Sequence, residues 1–540
     1  MTGPLGGSRS PVRSSAVRLF GCSIVLALLL LSICLGVFHL WRRRDDALGP
    51  IEGQSHSAAA PRSKASLSVV RSTRRSAIDP PVATVPTNAP PTSSPAQDPH
   101  PDAIPGEEVL LFYDDNHLRA FLAIAAEEGV EVVSQIDRLR AVRVRVGDAA
   151  RWRRVLARAP APIAQRPNVY VRQLPPPTPP EGVTYRPFAG SAPTWMGANT
   201  AQADWGRGIK VAVLDSPAAH GTAVASIITG RGEVRGVAPG AELVALPVLD
   251  ASGVGDAFAL AQGVLDAVDQ GARVLNISLG GAGESPVLRD AIAYAQRQGA
   301  VVVAAAGNDG ANELLYPARY PGVLSVGAVD ANGRQVYFSN RGAALDLVAP
   351  GLGVEAASPE GESMPFSGTS AAAPFVAGAI AGIWSDSPEL SAREVEALLT
   401  RYADDAGAPG PDDTYGHGVI NVGRVRERNT PGLVDMVLVR PHVARHPQYE
   451  DQLTLTLFGQ NRGTERLARV VLTADVDGAP VDLTFYDVEV GATVEHEMRL
   501  TGAGIGERTI AIRQSLSVET AEDRTPQNNA MRSTLALQSE

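Results

Sequence analysis

Four polar side chains in this chain of 540 residues are of the types that, brought together, activate a hydroxyl. Ser370 stands in "GTSAAAP", where a Ser-Gly-Thr turn runs into an Ala-rich stretch. A serine at the start of a helix sits among free N–H groups at the positive end of the dipole, which favours developing negative charge. Such a serine needs a base to take its proton, and the base needs a carboxylate to orient it. His220, in "HGTAVAS", is one of only two histidines between Ser191 and Val425, the other being His417. Asp215 closes the apolar run "VAVL" five residues before His220. Asn308 lies in the Gly-rich turn of "AAAGNDG", where its amide can donate a hydrogen bond to an oxyanion. Each residue also has an ordinary reading. Ser370 can be a helix cap, Asn308 a turn former, and Asp215 and His220 a strand-end and a helix-start residue.

The closeness of Asp215 and His220 is no obstacle to pairing. A carboxylate and an imidazole at about 2.9 Å need Cα atoms only roughly 6–8 Å apart, and five Cα steps reach about 16–18 Å when extended. The connection "SPAA" contains Pro217, which suits a turn.

The elements that must position these residues alternate in type. From 191 to 425, the runs "KVAVL", "ELVALPV", "ARVLNIS", "AVVVAAA", "VLSVGAV" and "LDLVA" read as strands. They are short, Val-rich and continuous, which predicts a parallel sheet covered by helices on both faces, an α/β fold. The stretches "AFALAQGVLDAVDQG" and "PVLRDAIAYAQRQG" read as helices ending at Gly. Asp215 and Asn308 then stand at carboxyl ends of strands, where open α/β sheets collect ligand groups.

The flanking regions differ in composition. Residues 1–18 are a polar tail, and residues 19–41, "LFGCSIVLALLLLSICLGVFHLW", contain no Lys, Arg, Asp or Glu. About 20 such residues span a bilayer, and no small-x-small cleavage site follows, so an uncleaved anchor is the favoured reading. A signal peptide and a buried helix are the alternatives. Three arginines on each side leave the orientation open. Both cysteines, Cys22 and Cys34, lie in this run, so the rest of the chain forms no disulfide and no Cys-based metal site. Residues 47–106 are a Pro-, Ser- and Ala-rich linker. Residues 107–174 read β-α-β-β-α-β, a ferredoxin-like α+β unit with its own small core. A Pro-rich link covers 175–190, and residues 431–540 carry about seven short strands between polar turns, a β-sandwich. Beyond Pro105 the chain holds 37 Lys and Arg against 52 Asp and Glu, and this acidic balance excludes a nucleic-acid surface.

Asp215 after "VAVL", then "HGTAVAS", "GVAPGAEL", "NISLGG", "AAAGNDG", "FSNRG", "LDLVAPG" and "GTSAAAP", occur in that order. Over Trp195–Val425 this set resembles the subtilisin family of serine endopeptidases. The resemblance implies that Ser370 is the nucleophile, His220 the general base, Asp215 its orienting carboxylate and Asn308 the oxyanion donor. It implies that Ser278, Leu279 and Gly280, and the pair Gly253 and Gly255, line an extended peptide substrate by strand addition. Leu315 stands where the family often has Gly in the first specificity pocket, which implies small or medium apolar residues before the cut bond. By the same resemblance, residues 107–174 are similar to the family's inhibitory propeptide, and the region after Pro431 looks like a CARDB-type or other immunoglobulin-like module. The expected partners are a protein or peptide substrate, the chain's own prodomain and, through residues 19–41, a membrane. The catalytic domain is expected on the periplasmic or extracellular side.

The chain departs from the family between Asp215 and His220, where members usually have a few dozen residues including an edge strand and a calcium ligand. "ELVALPV" should therefore become the sheet's edge, and no cofactor or metal is expected. The same departure leaves a second reading, a catalytically inactive binding or scaffold protein on this fold.

Overall fold

The computed structural model describes residues 101–540, except 179–181, 183, 199–202, 447–448, 501–507, 520–521 and 538–540. The expected anchor at 19–41 lies outside the described residues. Among the described residues no helix is long and apolar enough to cross a membrane.

At the end of β1 (Ala103–Leu111), Val109, Leu110 and Leu111 are buried, and alternate side chains go to opposite faces. Leu110 and the following Phe112 pack with Leu118 and Phe121 of α1 (Asp115–Glu128) into a small core, whereas Val109 and Leu111 join the large core of the next domain. Asp114 caps α1 by accepting from Asn116 N and His117 N, and Gly129 ends it at φ +69°. The chain continues through β2 (Glu131–Ile136), β3 (Ala141–Arg145), α2 (Ala149–Arg158) and β4 (Ala164–Gln173). The strands pair antiparallel in the order β2-β3-β1-β4. The unit starts earlier than the expected boundary at residue 107. Ala103 pairs with Val169 ahead of a bulge, and Gly106, at φ +72°, supplies the bend that made this stretch read as linker.

The central sheet follows. Its elements are β5 (Lys210–Asp215), α3 (Ala219–Thr229), β6 (Glu242–Pro247), β7 (Val254–Asp256), α4 (Ala257–Asp269), β8 (Val274–Ile277), β9 (Leu279–Gly280), α5 (Pro286–Arg297), β10 (Val301–Ala305), β11 (Leu324–Val329) and β12 (Leu347–Pro350). Six strands pair in parallel in the order β12-β11-β10-β8-β5-β6. Every residue of β8, β10, β11 and β12 is buried, which requires cover on both faces. β6 is the edge strand, as the short Asp–His connection requires. A hairpin of β13 (Val354–Ala357) and β14 (Ser363–Phe366) leads into α6 (Thr369–Asp386), an Ala-rich helix buried along nearly its whole length that packs beside α3. The second half of the Pro-rich link at 175–190 is bound to this domain. Phe188 N donates to Leu352 O (2.9 Å), Ala189 N to Gly353 O (2.7 Å) and Arg186 N to the Asp330 carboxylate (3.1 Å).

Helices α7 (Ala392–Arg401) and α8 (Val422–Glu427) close the domain. Two antiparallel four-stranded sheets follow and share one apolar core. One holds β15 (Met436–Leu438), β16 (His442–His446), β17 (Tyr449–Asn461) and β20 (Thr493–Leu500). The other holds β18 (Leu467–Val476), β19 (Ala479–Val488), β21 (Arg508–Val518) and β22 (Ala530–Leu537). The expected count of about seven strands falls one short, because β16 is five residues long, mostly polar and nowhere fully buried. Buried Arg424 links the two domains. It donates to Tyr402 O (3.0 Å), Ala403 O (2.8 Å) and Asp404 Oδ1 (3.2 Å), while Arg462 of the sandwich donates to Asp404 Oδ2 (3.0 Å).

Candidate active site

Asp215 is the last residue of β5 and His220 the second of α3, so strand end and helix start deliver both side chains to one point. His220 Nδ1 lies 2.8 Å from Asp215 Oδ1 and 3.0 Å from Oδ2, and both side chains are buried. A carboxylate facing Nδ1 keeps the ring proton there and leaves Nε2 as the acceptor. The tight connection needs Gly221, where a Cβ would stand 2.3 Å from Ser216 O. Phe366, the last residue of β14, meets the imidazole edge to face, with centroids 5.3 Å apart and planes at 75°.

Ser370 is the second residue of α6. The residue at the cap position is Gly368, at φ +136°, so Ser370 is not the helix cap. Its hydroxyl is buried without a hydrogen-bond partner, and so is His220 Nε2. Asn308 is held from this helix start. Thr369 donates to Asn308 Oδ1 from its backbone N–H (2.8 Å) and its hydroxyl (2.9 Å). With the oxygen engaged, the Nδ2 group is left to donate elsewhere, and it donates to Pro175 O at 3.0 Å. Gly368 allows this approach, since a Cβ there would lie 2.8 Å from Asn308 Nδ2.

The other expected residues line the same cleft. Ser278 Oγ donates to Ser370 O (3.1 Å) and accepts from Asn276 Nδ2 (2.9 Å). The backbones of β7 and β9 flank β4, which pairs antiparallel with both. Val171 stands opposite Gly255, Arg172 opposite Val254 and Gly280, and Gln173 opposite Leu279. Gln173 N donates to Gly253 O at 2.8 Å. The side chains of Val171 and Leu174 are buried, whereas Arg172, Pro175 and Pro176 are exposed. Leu315 lies between two glycines: its Cβ would be 3.0 Å from a Cβ on Gly280, and its Cγ 3.1 Å from one on Gly307. Leu315 N donates to Ala306 O (3.0 Å), and Tyr316 exchanges two backbone bonds with Gly281.

The sequence reading did not find Thr369 as the anchor of Asn308, Phe366 against the imidazole, or Pro175 as the acceptor. Thr369 is adjacent to Ser370, which was its available signal; Phe366 stands four residues before Ser370 and has none. The loop after α3 does not fit a calcium ion. Gly236 N closes onto Gly230 O (2.9 Å), and Arg231 and Arg235 pair across it. These two cations flank Glu233, which is no cage of six to eight oxygens.

The model of the Subtilase family matches residues 198–418. Subtilisin Savinase of Lederbergia lenta is 42% identical over 205 residues, which cover 37% of this chain and 75% of that protein. The chain belongs to the subtilase family. Subtilisin DY of Bacillus licheniformis is 42% identical over 210 residues, covering 38% of this chain and 76% of its own length. The Alkaline protease of Alkalihalobacillus alcalophilus is 42% identical over 205 residues, and there the subtilase match spans about half of the relative, 53%. Among solved structures, that of the prenylagaramide maturation protease PagA is 30% identical, with a TM-score of 0.38, covering 42% of this chain and 94% of that one.

Proposed function

We propose that this subtilase is a membrane-anchored serine endopeptidase whose N-terminal β-α-β-β-α-β unit is an intramolecular inhibitor, removed by autoprocessing between Val171 and Gly197. One observation carries the reading. An extended segment, Tyr170 to Pro175, pairs with β7 and β9 and ends with its carbonyl on Asn308 Nδ2. This is the pose of a peptide substrate, main chain held by strand addition and a carbonyl on a hydrogen-bond donor.

In the proposed reaction, Ser370 Oγ attacks a peptide carbonyl and its proton passes to His220 Nε2. Asp215 keeps the ring in the required tautomer and stabilises the imidazolium. Asn308 Nδ2 and the Ser370 N–H hold the oxyanion. His220 then protonates the leaving nitrogen, the C–N bond breaks, and water releases the acyl group by the same steps in reverse. Leu315 narrows the pocket between Gly280 and Gly307, so small or medium apolar residues are expected before the cut bond. Residues 19–41 anchor the chain, with the catalytic domain on the periplasmic or extracellular side.

A fluorophosphonate probe tests the reading. It should label Ser370 in protein freed of residues 103–174 and leave Ser370→Ala unlabelled. Freed, folded protein that takes no label would instead be a binding protein on a subtilase fold.

A further inference from the structure

The segment seated in the cleft is followed by three prolines, "LPPPT". Leu174 is its last buried side chain, and Pro175 O is the carbonyl on Asn308. Whichever of the two carbonyls faces Ser370, the bond beyond it ends in a proline nitrogen: Leu174–Pro175 or Pro175–Pro176. A slip of one residue further reaches Pro176–Pro177, which is no different.

Acyl transfer forms the Ser370 Oγ–C bond and breaks the C–N bond, and the proton that left Ser370 must reach the leaving nitrogen through His220 Nε2. A secondary amide nitrogen carries one carbon and one hydrogen, and turns its lone pair toward the base with little hindrance. A proline nitrogen carries two ring carbons and no hydrogen. The ring methylene takes the place of the missing hydrogen and crowds the preceding residue. Here the imidazole that must approach is itself packed between Asp215 and Phe366.

The strap is also firmly held. Beyond the β4 pairs with β7 and β9, Arg143 bonds Asp256 (2.6 Å), Arg138 bonds Asp269 (2.7 Å) and Asp102 accepts from Ala282 N (3.0 Å). Moving a downstream bond into the site within one molecule would strip these pairs first.

We infer that the strap is an uncleavable pseudosubstrate in its own molecule, and that the maturation cut is made in trans, by a second copy of this chain, at a bond other than the three that precede these prolines. The inference rests on the protease reading above.

Its test uses the full chain. Purified precursor should mature with a lag, at a rate that rises with protein concentration, and a trace of matured protein should abolish the lag. Ser370→Ala precursor should stay intact alone and be cut on mixing with matured wild type. Replacing Pro175, Pro176 and Pro177 together by Ala should give rapid, concentration-independent cutting, with a new N-terminus at residue 175, 176 or 177 by mass spectrometry. The single variants Pro175→Ala and Pro176→Ala guard against misfolding of the triple one, and one of them should show the same change. Wild-type precursor that cuts itself before Pro175, Pro176 or Pro177 at a concentration-independent rate would overturn the inference. So would a triple variant that matures no faster than wild type while its Ser370 takes a fluorophosphonate label. If freed wild-type protein takes no label, the protease reading itself has failed.

Discussion

Thr369 grips the carbonyl oxygen of Asn308 twice, from its backbone N–H at 2.8 Å and from its hydroxyl at 2.9 Å. The same hydroxyl oxygen accepts from Gly307 N at 3.2 Å. One buried side chain therefore fixes both the amide that faces the cleft and the turn that carries it. Removing the donor itself, in Asn308→Ala, should lower kcat by roughly 100- to 1,000-fold with little change in KM. Thr369→Val keeps the backbone contact and loses the hydroxyl, so it should lose a smaller part of kcat. Steady-state kinetics on a chromogenic peptide with matured protein separate the two. A Thr369→Val enzyme as fast as wild type would show that the backbone contact suffices.

Asp215→Asn should retain the fold and lower kcat by about 10,000-fold. The amide can donate to Nδ1 and so leave the ring proton on Nε2, which then cannot take a proton from Ser370. Fluorophosphonate labelling of the matured variant should slow in parallel. An unchanged rate would remove Asp215 from the reaction.

Leu315→Gly should open the space between Gly280 and Gly307. Selectivity should move toward Phe and Tyr before the cut bond by the equivalent of about 1–3 kcal/mol or more. Peptide-library profiling of wild type and variant reads this directly. A wild-type enzyme that already prefers Phe or Tyr would show that Leu315 does not limit the pocket.

Asp405 sits at the junction with the sandwich, where its carboxylate accepts from Gly410 N (3.0 Å) and Thr493 Oγ1 (2.9 Å). Burial pushes its pKa up to about 6 from an ordinary value of 3.8. The folded group therefore holds its proton after the unfolded one has lost it. Its contribution to stability falls as pH rises from about 4 to about 6 and is flat above. Asp405→Asn removes that fall. Relative to wild type, the variant should gain stability between pH 4 and pH 7, by up to about 3 kcal/mol. Paired melting curves across this range check it; a difference that does not vary with pH would contradict the burial argument.

The residues that meet in the cleft were legible because each stands beside a local signal: a continuous Val-rich run before Asp215 and Asn308, a small-residue helix after His220 and Ser370. Strand partners are not local. "NVYVRQL" reads as a strand, but nothing in those residues says that β4 pairs on both sides with β7 and β9. The hairpin of β13 and β14 escaped notice because its strands are four residues long and mixed in polarity, and with it went Phe366. The stretch from Ala103 to Gly106 was read as linker because Pro105 and Gly106 mask the pairing that precedes the bulge. Nothing local in the Pro-rich link at 175–190 announces that Phe188 and Ala189 bond to the backbone of the catalytic domain.

The brevity of the Asp215–His220 connection bears on how the molecule assembles. Carboxylate and imidazole are five residues apart, whereas Ser370 lies 150 residues beyond His220. The entropy lost on closing a flexible segment grows with the logarithm of its length, and a segment six times longer would cost about 1.6 kcal/mol more. The base and its carboxylate can therefore meet as soon as β5 and α3 form, as a contact internal to one strand–helix unit. The nucleophile joins only when α6 packs beside α3. The contact that orients the base is thus local to one strand–helix unit, whereas the contact between base and nucleophile depends on the packing of a segment 150 residues long.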